Sequence, residues 1–429
     1  MILTPQQKPI WGWALYDWAN SAYATAVMAG FFPLFFKQYW SAGSEPGEST
    51  LLLGLANVGA SLAIVILAPL LGAMADRCGG RKRYLFRFAL LGMITTALLP
   101  LVGAGEWGWA VLLYMLATIG FSGSISFYDA LLLSVSSQSR YDRVSALGYG
   151  LGYLGGGVLF ALCVAMSLKP ELFGLADAAA AVKLSFLLVA LWWLLFSLPL
   201  LFWVKEPRRE AATSSPSLWQ LWRDSFTELG QTLSSVRSYR PVWLFLLAYW
   251  CYIDGVDTII RMAVDYGLAL GFESSVLIQA LLLTQFIGFP AAILFGYLGQ
   301  RWGTRRAILL AIGGYMGIVV WGYGMSSEAE FYQLAVAIGL IQGGIQALSR
   351  SLYGQLIPPA KAAEFFGFYN MLGKFAALLG PLLMGVVSWL TGDPRLSILT
   401  LLPLFAIGGW LLLKVPLPAK RGLGAKNSS

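Results

Sequence analysis

Twelve apolar stretches, each about the length of a bilayer crossing, run through this 429-residue chain. They constrain its fold more than any motif does. In hydrocarbon no water satisfies backbone N–H and C=O groups, so only helices and closed barrels can span. A crossing helix needs about 20 apolar residues and a crossing strand only about 10. The stretches lie at 10–36, 51–75, 84–103, 108–137, 144–167, 182–204, 241–266, 275–299, 306–325, 330–357, 364–390 and 396–414. They predict an all-α polytopic membrane protein with twelve transmembrane helices. Composition agrees: 58% of residues are hydrophobic and 12% charged, against about a quarter charged in soluble domains.

The composition also excludes chemistry. There is no histidine, and Cys78, Cys163 and Cys251 are widely spaced. Neither a metal site nor a disulfide framework can be read from them, and no cofactor is expected. No Gly-rich phosphate loop ending in Lys and Ser/Thr occurs, which argues against ATP hydrolysis. No serine has a recognisable base, so an enzyme is not expected. Residues 1–9 are polar and the next stretch is too long for the apolar core of a signal peptide.

One long polar connection, 205–240, divides the chain. It predicts a first six-helix half (1–204), a linker (205–240), a second half (241–415) and a tail (416–429). Placing the N-terminus in the cytoplasm puts Arg77, Arg81, Lys82, Arg83, Arg140, Arg143, Arg301, Arg305, Arg306 and the charged linker inside. Only Lys37, Lys169, Lys183 and Arg395 then fall outside. Positive loops stay cytoplasmic, so both termini are expected inside. The net charge of +8 then meets the anionic inner leaflet, and a nucleic-acid partner is not needed to explain it.

The halves repeat. "GAMADRCGGRKR" (72–83) follows the second stretch and "GYLGQRWGTRRA" (296–307) follows the eighth. Laying Gly72 on Gly296 puts Arg77 on Arg301, Gly79 on Gly303 and Arg81 on Arg305. This duplication resembles the major facilitator superfamily, with its Asp-Arg-x-Gly-Arg-Arg turn between spans two and three and its parallel six-helix repeats. The resemblance implies that spans one, four, seven and ten line a cavity while two, five, eight and eleven form the seam.

Charges inside the stretches fall on those cavity spans. Asp17 is in span one and Asp129 in span four. Span seven holds Asp254, Asp257, Arg261 and Asp265, span ten Arg350, and the seam span eleven Lys374. At 1.5 Å per residue, Asp17, Asp129 and Arg350 each lie roughly 10 Å from the cytoplasmic end of their spans. The expectation is an ion-pair layer in which Arg350 meets Asp17 or Asp129. Asp257, Arg261 and Asp265 are four apart and share a helix face. Around Asp17 stand Trp13, Tyr16, Asn20 and Tyr23, and beside Asp129 stands Tyr128. These residues, with Asp254, Asp257, Tyr369 and Asn370, form the candidate cavity set; Asp17, Asp129 and Asp254 are the candidate proton carriers. A carboxylate at membrane depth costs roughly 2.5 kcal/mol or more, which proton exchange gives a reason to retain. Asp76, near the positive N-terminal end of span eleven, is read as a gate latch. Arg77, Arg81, Arg261, Asp265, Arg301, Arg350, Glu364 and Lys374 complete the candidate gate and ion pairs.

Gly148, Gly152 and Gly156, spaced by four on span five, suit close helix packing and a rocking seam. Gly380-Pro381 predicts a kink or breakpoint in span eleven.

Three segments make the resemblance more specific: "WALYDWANSAYATAV" (13–27), "FYDALLLSVSSQSRYDRVSALGYGLGYLGGG" (127–157) and "GGIQALSRSLYGQLIPPAKAAEFFGFYNMLGKFAALLGP" (343–381). They resemble the autophagy-related vacuolar amino-acid effluxer family and its bacterial relatives. Asp17, Asn20, Ser21, Ser349, Arg350, Ser351, Glu364, Phe365, Gly367 and Tyr369 match its pattern; Asp129 stands where the family more usually has Asn. The resemblance implies a secondary transporter working by alternating access. Its expected partners are a small solute such as an amino acid, protons and the lipid bilayer, and its expected setting is a bacterial inner membrane, as a monomer. The alternatives are a larger amphiphilic or lipid-like substrate and a transporter-like sensor that moves nothing.

Overall fold

The computed structural model describes residues 4–41, 59–60, 62–64, 67, 71–72, 75–76, 80–206 and 239–417. Side chains at 261, 264–265, 268–269, 274–275, 374, 376–378 and 394 are not described. Arg77, most of the 205–240 linker and most of the tail lie outside the described residues, as do the side chains of Arg261, Asp265 and Lys374.

All regular structure among the described residues is helical. Span one runs Lys8–Trp40, span three Arg81–Leu101, span four Trp107–Val135, span five Gln138–Leu168 and span six Ala178–Trp203. Span seven is Arg240–Ala269, span eight Ser274–Trp302, span nine Thr304–Gly324, span ten Glu328–Leu356 and span eleven Ala362–Thr391. Span twelve is Arg395–Leu413. The described residues between 59 and 76 are helical and belong to span two. The starts are written locally. Asp177 Oδ1 accepts the Ala180 N–H at 2.7 Å, and Ser327 with Glu330 closes a reciprocal capping box, so both helices begin with orphan donors satisfied.

Span one departs from a plain α-helix. Tyr23–Phe31 and Phe36–Trp40 are π-helical around a short α turn at Phe32–Phe35. The wider winding carries the span to Trp40, beyond the expected end at 36. At Gly30 a Cβ would stand 2.6 Å from the Phe160 ring, so only glycine admits this approach to span five.

The packing repeats between halves. Span one lies on five and six, and three on four and six; span seven lies on eleven and twelve, and nine on ten and twelve. The halves meet where span five packs on eight and ten, and four on eleven. This is the twelve-helix, two-half arrangement that the duplicated loop predicts.

The duplicated loops correct their own alignment by one residue. The positive-φ glycines that start spans three and nine are Gly80 (φ 90°) and Gly303 (φ 100°), so Gly80 stands at the place of Gly303; Gly79 lies outside the described residues. Two residues on, Lys82 Nζ donates to Leu201 O and Val204 O at the end of span six. Arg305 Nη1 does the same to Leu413 O and Val415 O at the end of span twelve. Each cation satisfies helix C-terminal carbonyls that have no intrahelical donor. The sequence alignment paired Arg305 with Arg81 because identity of residue type outweighed the extra residue in the first loop.

The glycine stripe also needs correction. Gly148, Gly152 and Gly156 face span one inside the first half. A Cβ on them would meet Tyr128 and Trp13, Ser21, or Thr25 respectively. The seam uses other small residues: Gly150 lies against Phe289, and Gly296 brings span eight to Ala146, with 2.5 Å from an added Cβ.

Candidate functional site

Arg350, the one charged residue within span ten below its first turn, is 2% exposed. Its span places it across the seam from spans one, four and five. Nη1 lies 3.1 Å from Asp129 Oδ1 and 3.5 Å from Asp17 Oδ2. Nε donates to Ser145 Oγ at 2.9 Å and Nη2 to Ser145 O at 2.9 Å. One guanidinium of the second half thus holds three spans of the first.

Both carboxylates have further donors. Tyr128 OH donates to Asp17 Oδ2 at 3.0 Å, and Asn370 Nδ2 to Asp129 Oδ2 at 3.0 Å. Such hydrogen bonds are what make a buried charge pair tolerable. The guanidinium also lies 4.3 Å from the Tyr149 ring centre, 4.8 Å from Trp13 and 5.3 Å from Tyr128, within cation–π range. Trp13 stacks on Tyr128 with centroids 4.4 Å apart and donates Nε1–H to Tyr128 O at 2.8 Å. Gly148 makes this possible, since a Cβ there would stand 2.8 Å from Tyr128 OH and 3.0 Å from Asp17 Oδ2.

Two more clasps close the same end of the bundle, where the basic loops lie. Asp76 Oδ1 pairs with Arg81 Nη2 at 2.6 Å, and Asp76 Oδ2 accepts the Glu364 N–H at 2.9 Å in the first turn of span eleven. Asp142, in the first turn of span five, accepts from Ser351 Oγ and Thr304 Oγ1 of the second half. Asp142, Ser145 and Tyr149 were missed as site residues; the signal available was their place beside Gly148 in "YDRVSALGYG".

The other candidates lie elsewhere. Tyr23 is buried within the first half, hydrogen-bonded to Thr118 and packed on Phe121 and Trp193, so it offers the cavity no surface. Tyr16 packs on Tyr128, and Asn20 Nδ2 donates to its own helix at Tyr16 O. Tyr369 stacks on Tyr249 and Tyr353. Asp254 is bonded to Gly380 N–H between spans seven and eleven. Asp257 is half-buried one turn further on. Glu364 is buried with Lys361 Nζ at 3.9 Å. Arg301 is exposed at the end of span eight. A cavity of about 110 Å³ opens within the second half among Ile259, Thr284, Gln285, Ala335, Gln342 and Met384, and none of the candidate residues lines it.

Chemically, the network joins the two halves: a single cation spans two buried acids from the opposite half. Comparisons with known proteins bear on the fold and the family. The family described as "Vacuole effluxer Atg22 like" matches residues 55–135 and 133–423. The MFS-type transporter YxiO of Bacillus subtilis (strain 168) is 41% identical over 409 residues, covering 94% of each chain. Autophagy-related protein 22-1 of Aspergillus niger is 26% identical over 290 residues, covering 61% of this chain and 46% of that protein, so the match spans about half its length. Among solved structures, the human organic anion transporter MFSD10 (TETRAN) superposes with a TM-score of 0.72 at 17% identity, over 96% of this chain and all of that one. This multi-pass membrane protein therefore has the fold of a transporter and not of an enzyme, and the chain belongs to the vacuole effluxer Atg22-like family within the major facilitator superfamily.

Proposed function

We propose that the protein is a proton-coupled secondary transporter that exports or exchanges a small neutral solute, such as an amino acid, by alternating access. The observation that carries this reading is one arginine serving two buried acids. Arg350 balances one negative charge; Asp17 and Asp129 together carry two. The second is costly in a buried site, and binding one proton removes it. Asp17 is the member to take that proton, because it lies farther from the guanidinium, at 3.5 Å against 3.1 Å. When the halves part, Arg350 leaves the first half, and both acids meet water and solute. When they close, one proton or one solute charge must compensate them. Movement of the halves is thereby linked to proton binding, with no nucleotide involved.

Asp129 is held by Arg350 and Asn370. In this state it offers the solute no free charge, which supports a neutral cargo. The basic loops support cytoplasmic termini in an inner membrane, and the self-contained pair of halves supports a monomer. The word "effluxer" in the family's description supports the outward direction.

The test is flux in proteoliposomes, after a thermal-shift screen with amino acids selects a solute. A pH gradient should drive accumulation in the wild type. Asp17→Asn should abolish the gradient-driven component while leaving solute exchange intact. Full accumulation by the variant would make Asp17 a structural residue.

A further inference from the structure

A buried carboxylate outside this network has no cation among the described residues. Asp254, midway along span seven, is 1% exposed. Its Oδ1 accepts the Gly380 N–H of span eleven at 2.9 Å and the Thr258 hydroxyl at 3.4 Å. Its Oδ2 is buried with no hydrogen-bond partner. Every other buried acid described above is matched: Asp17 and Asp129 by Arg350, Asp76 by Arg81, Glu364 by Lys361, and Asp142 by hydroxyls.

We propose that Asp254 is a second proton-binding site, neutral in this state, which ties proton occupancy to the Gly380-Pro381 position of span eleven, a helix that runs unbroken over Ala362–Thr391. An ionised carboxylate sealed from water needs a cation or several donors, and Asp254 has one backbone N–H and one hydroxyl. Among the described residues, the ionisable groups facing it add no positive charge. On its own span these are Asp257 and Cys251. Span eleven presents the Gly380 N–H, and span twelve packs Phe405 against the neighbouring Gly255. The neutral acid fits the geometry: one oxygen accepts from Gly380, and the other carries the hydrogen. Binding takes one proton from water to form the Oδ2–H bond; release returns it to water and leaves the charge.

The position gives this site leverage. Pro381 has no N–H and cannot continue the ladder of span eleven, so Gly380 is where that helix is most easily bent. Gly380 also has no room for a Cβ, because Thr258 and Asp254 fill the space. Ionising Asp254 requires water, and water can enter only if spans seven and eleven part here. The proton site stands on these contacts alone; its part in coupling rests on the proton-driven transport proposed above.

Infrared difference spectroscopy of the purified full chain in lipid tests it without a substrate. The wild type at neutral pH should show the carbonyl stretch of a protonated carboxylic acid. Asp17 contributes such a band too if it carries the proton proposed above, so the site is read in the Asp17→Asn/Asp129→Asn background, where the band should remain. Adding Asp254→Asn, which keeps an acceptor for the Gly380 N–H, should then abolish it. Absence of the band in that background, or its survival once Asp254→Asn is added, overturns the proposal. Should Asp254→Asn fail to fold, Asp254→Glu must shift the band; an unshifted band overturns the assignment equally. Lack of proton-driven flux in a protein that keeps the band would sink the transport reading and leave the proton site standing.

Discussion

Replacing Arg350 by glutamine is the most informative perturbation the structure offers. The change removes the cation from between Asp129 and Asp17, two bonds to Ser145, and the contacts with three aromatic rings. Two buried acids remain without a counter-charge. Breaking a buried pair from one side costs roughly 3–5 kcal/mol, equivalent to at least two orders of magnitude in the folding equilibrium. Most of that cost is the stranded charge, so neutralising the stranded acid should return part of it. Coupling energies between contacting residues reach about 0.5–3 kcal/mol. Arg350→Gln combined with Asp129→Asn should therefore be more stable than Arg350→Gln alone. The shorter distance to Asp129 makes that rescue larger than the one by Asp17→Asn. Lost ring and Ser145 contacts are common to all the variants and cancel in the comparison. The assay is thermal unfolding in lipid nanodiscs followed by intrinsic fluorescence of the 17 tryptophans. If neither acid-neutralising change raises the stability of Arg350→Gln, the charge pairing carries no energy and the gate assignment fails.

Two further outcomes follow from the same geometry. Gly148→Ala forces a methyl against Tyr128 OH and Asp17 and should cost about 1–3 kcal/mol by overpacking, whereas Gly385→Ala meets nothing within 4 Å and should be near neutral; equal thermal midpoints for the two would show that the close approach of spans one and five is not required. Asp129→Asn replaces a tied-up carboxylate by the residue more usual in the resembling family, so binding of a neutral solute should be nearly unchanged by calorimetry; a large loss confined to amine-bearing solutes would put Asp129 in direct contact with the cargo.

Residues local in sequence wrote much of this protein. The apolar stretches determined the number and order of spans, because a backbone in hydrocarbon must bond to itself. The caps at Asp177 and Ser327 are local as well, since a cap acts within three or four residues, although the apolar stretches alone placed those spans at 182 and 330. The duplicated loop announced two equivalent halves, and charge depth along each helix brought Asp17, Asp129 and Arg350 to one level. What depth does not contain is rotation about the helix axis and the position of the neighbouring helix. Those decided that Gly148 faces span one rather than the seam, and that Tyr23 points into the first half. They also decided that Ser145 and Tyr149 complete the Arg350 site from a helix with no charge of its own at that depth. The one-residue offset at Gly80 has the same origin: a positive-φ turn is selected by backbone geometry, and only the packed ends of spans six and twelve reveal which glycine makes it. Asp254 illustrates the limit most sharply. Its sequence neighbours mark it as a membrane carboxylate like Asp17, and only the tertiary structure separates an acid that shares an arginine from one that meets the Gly380 N–H of a proline-containing helix.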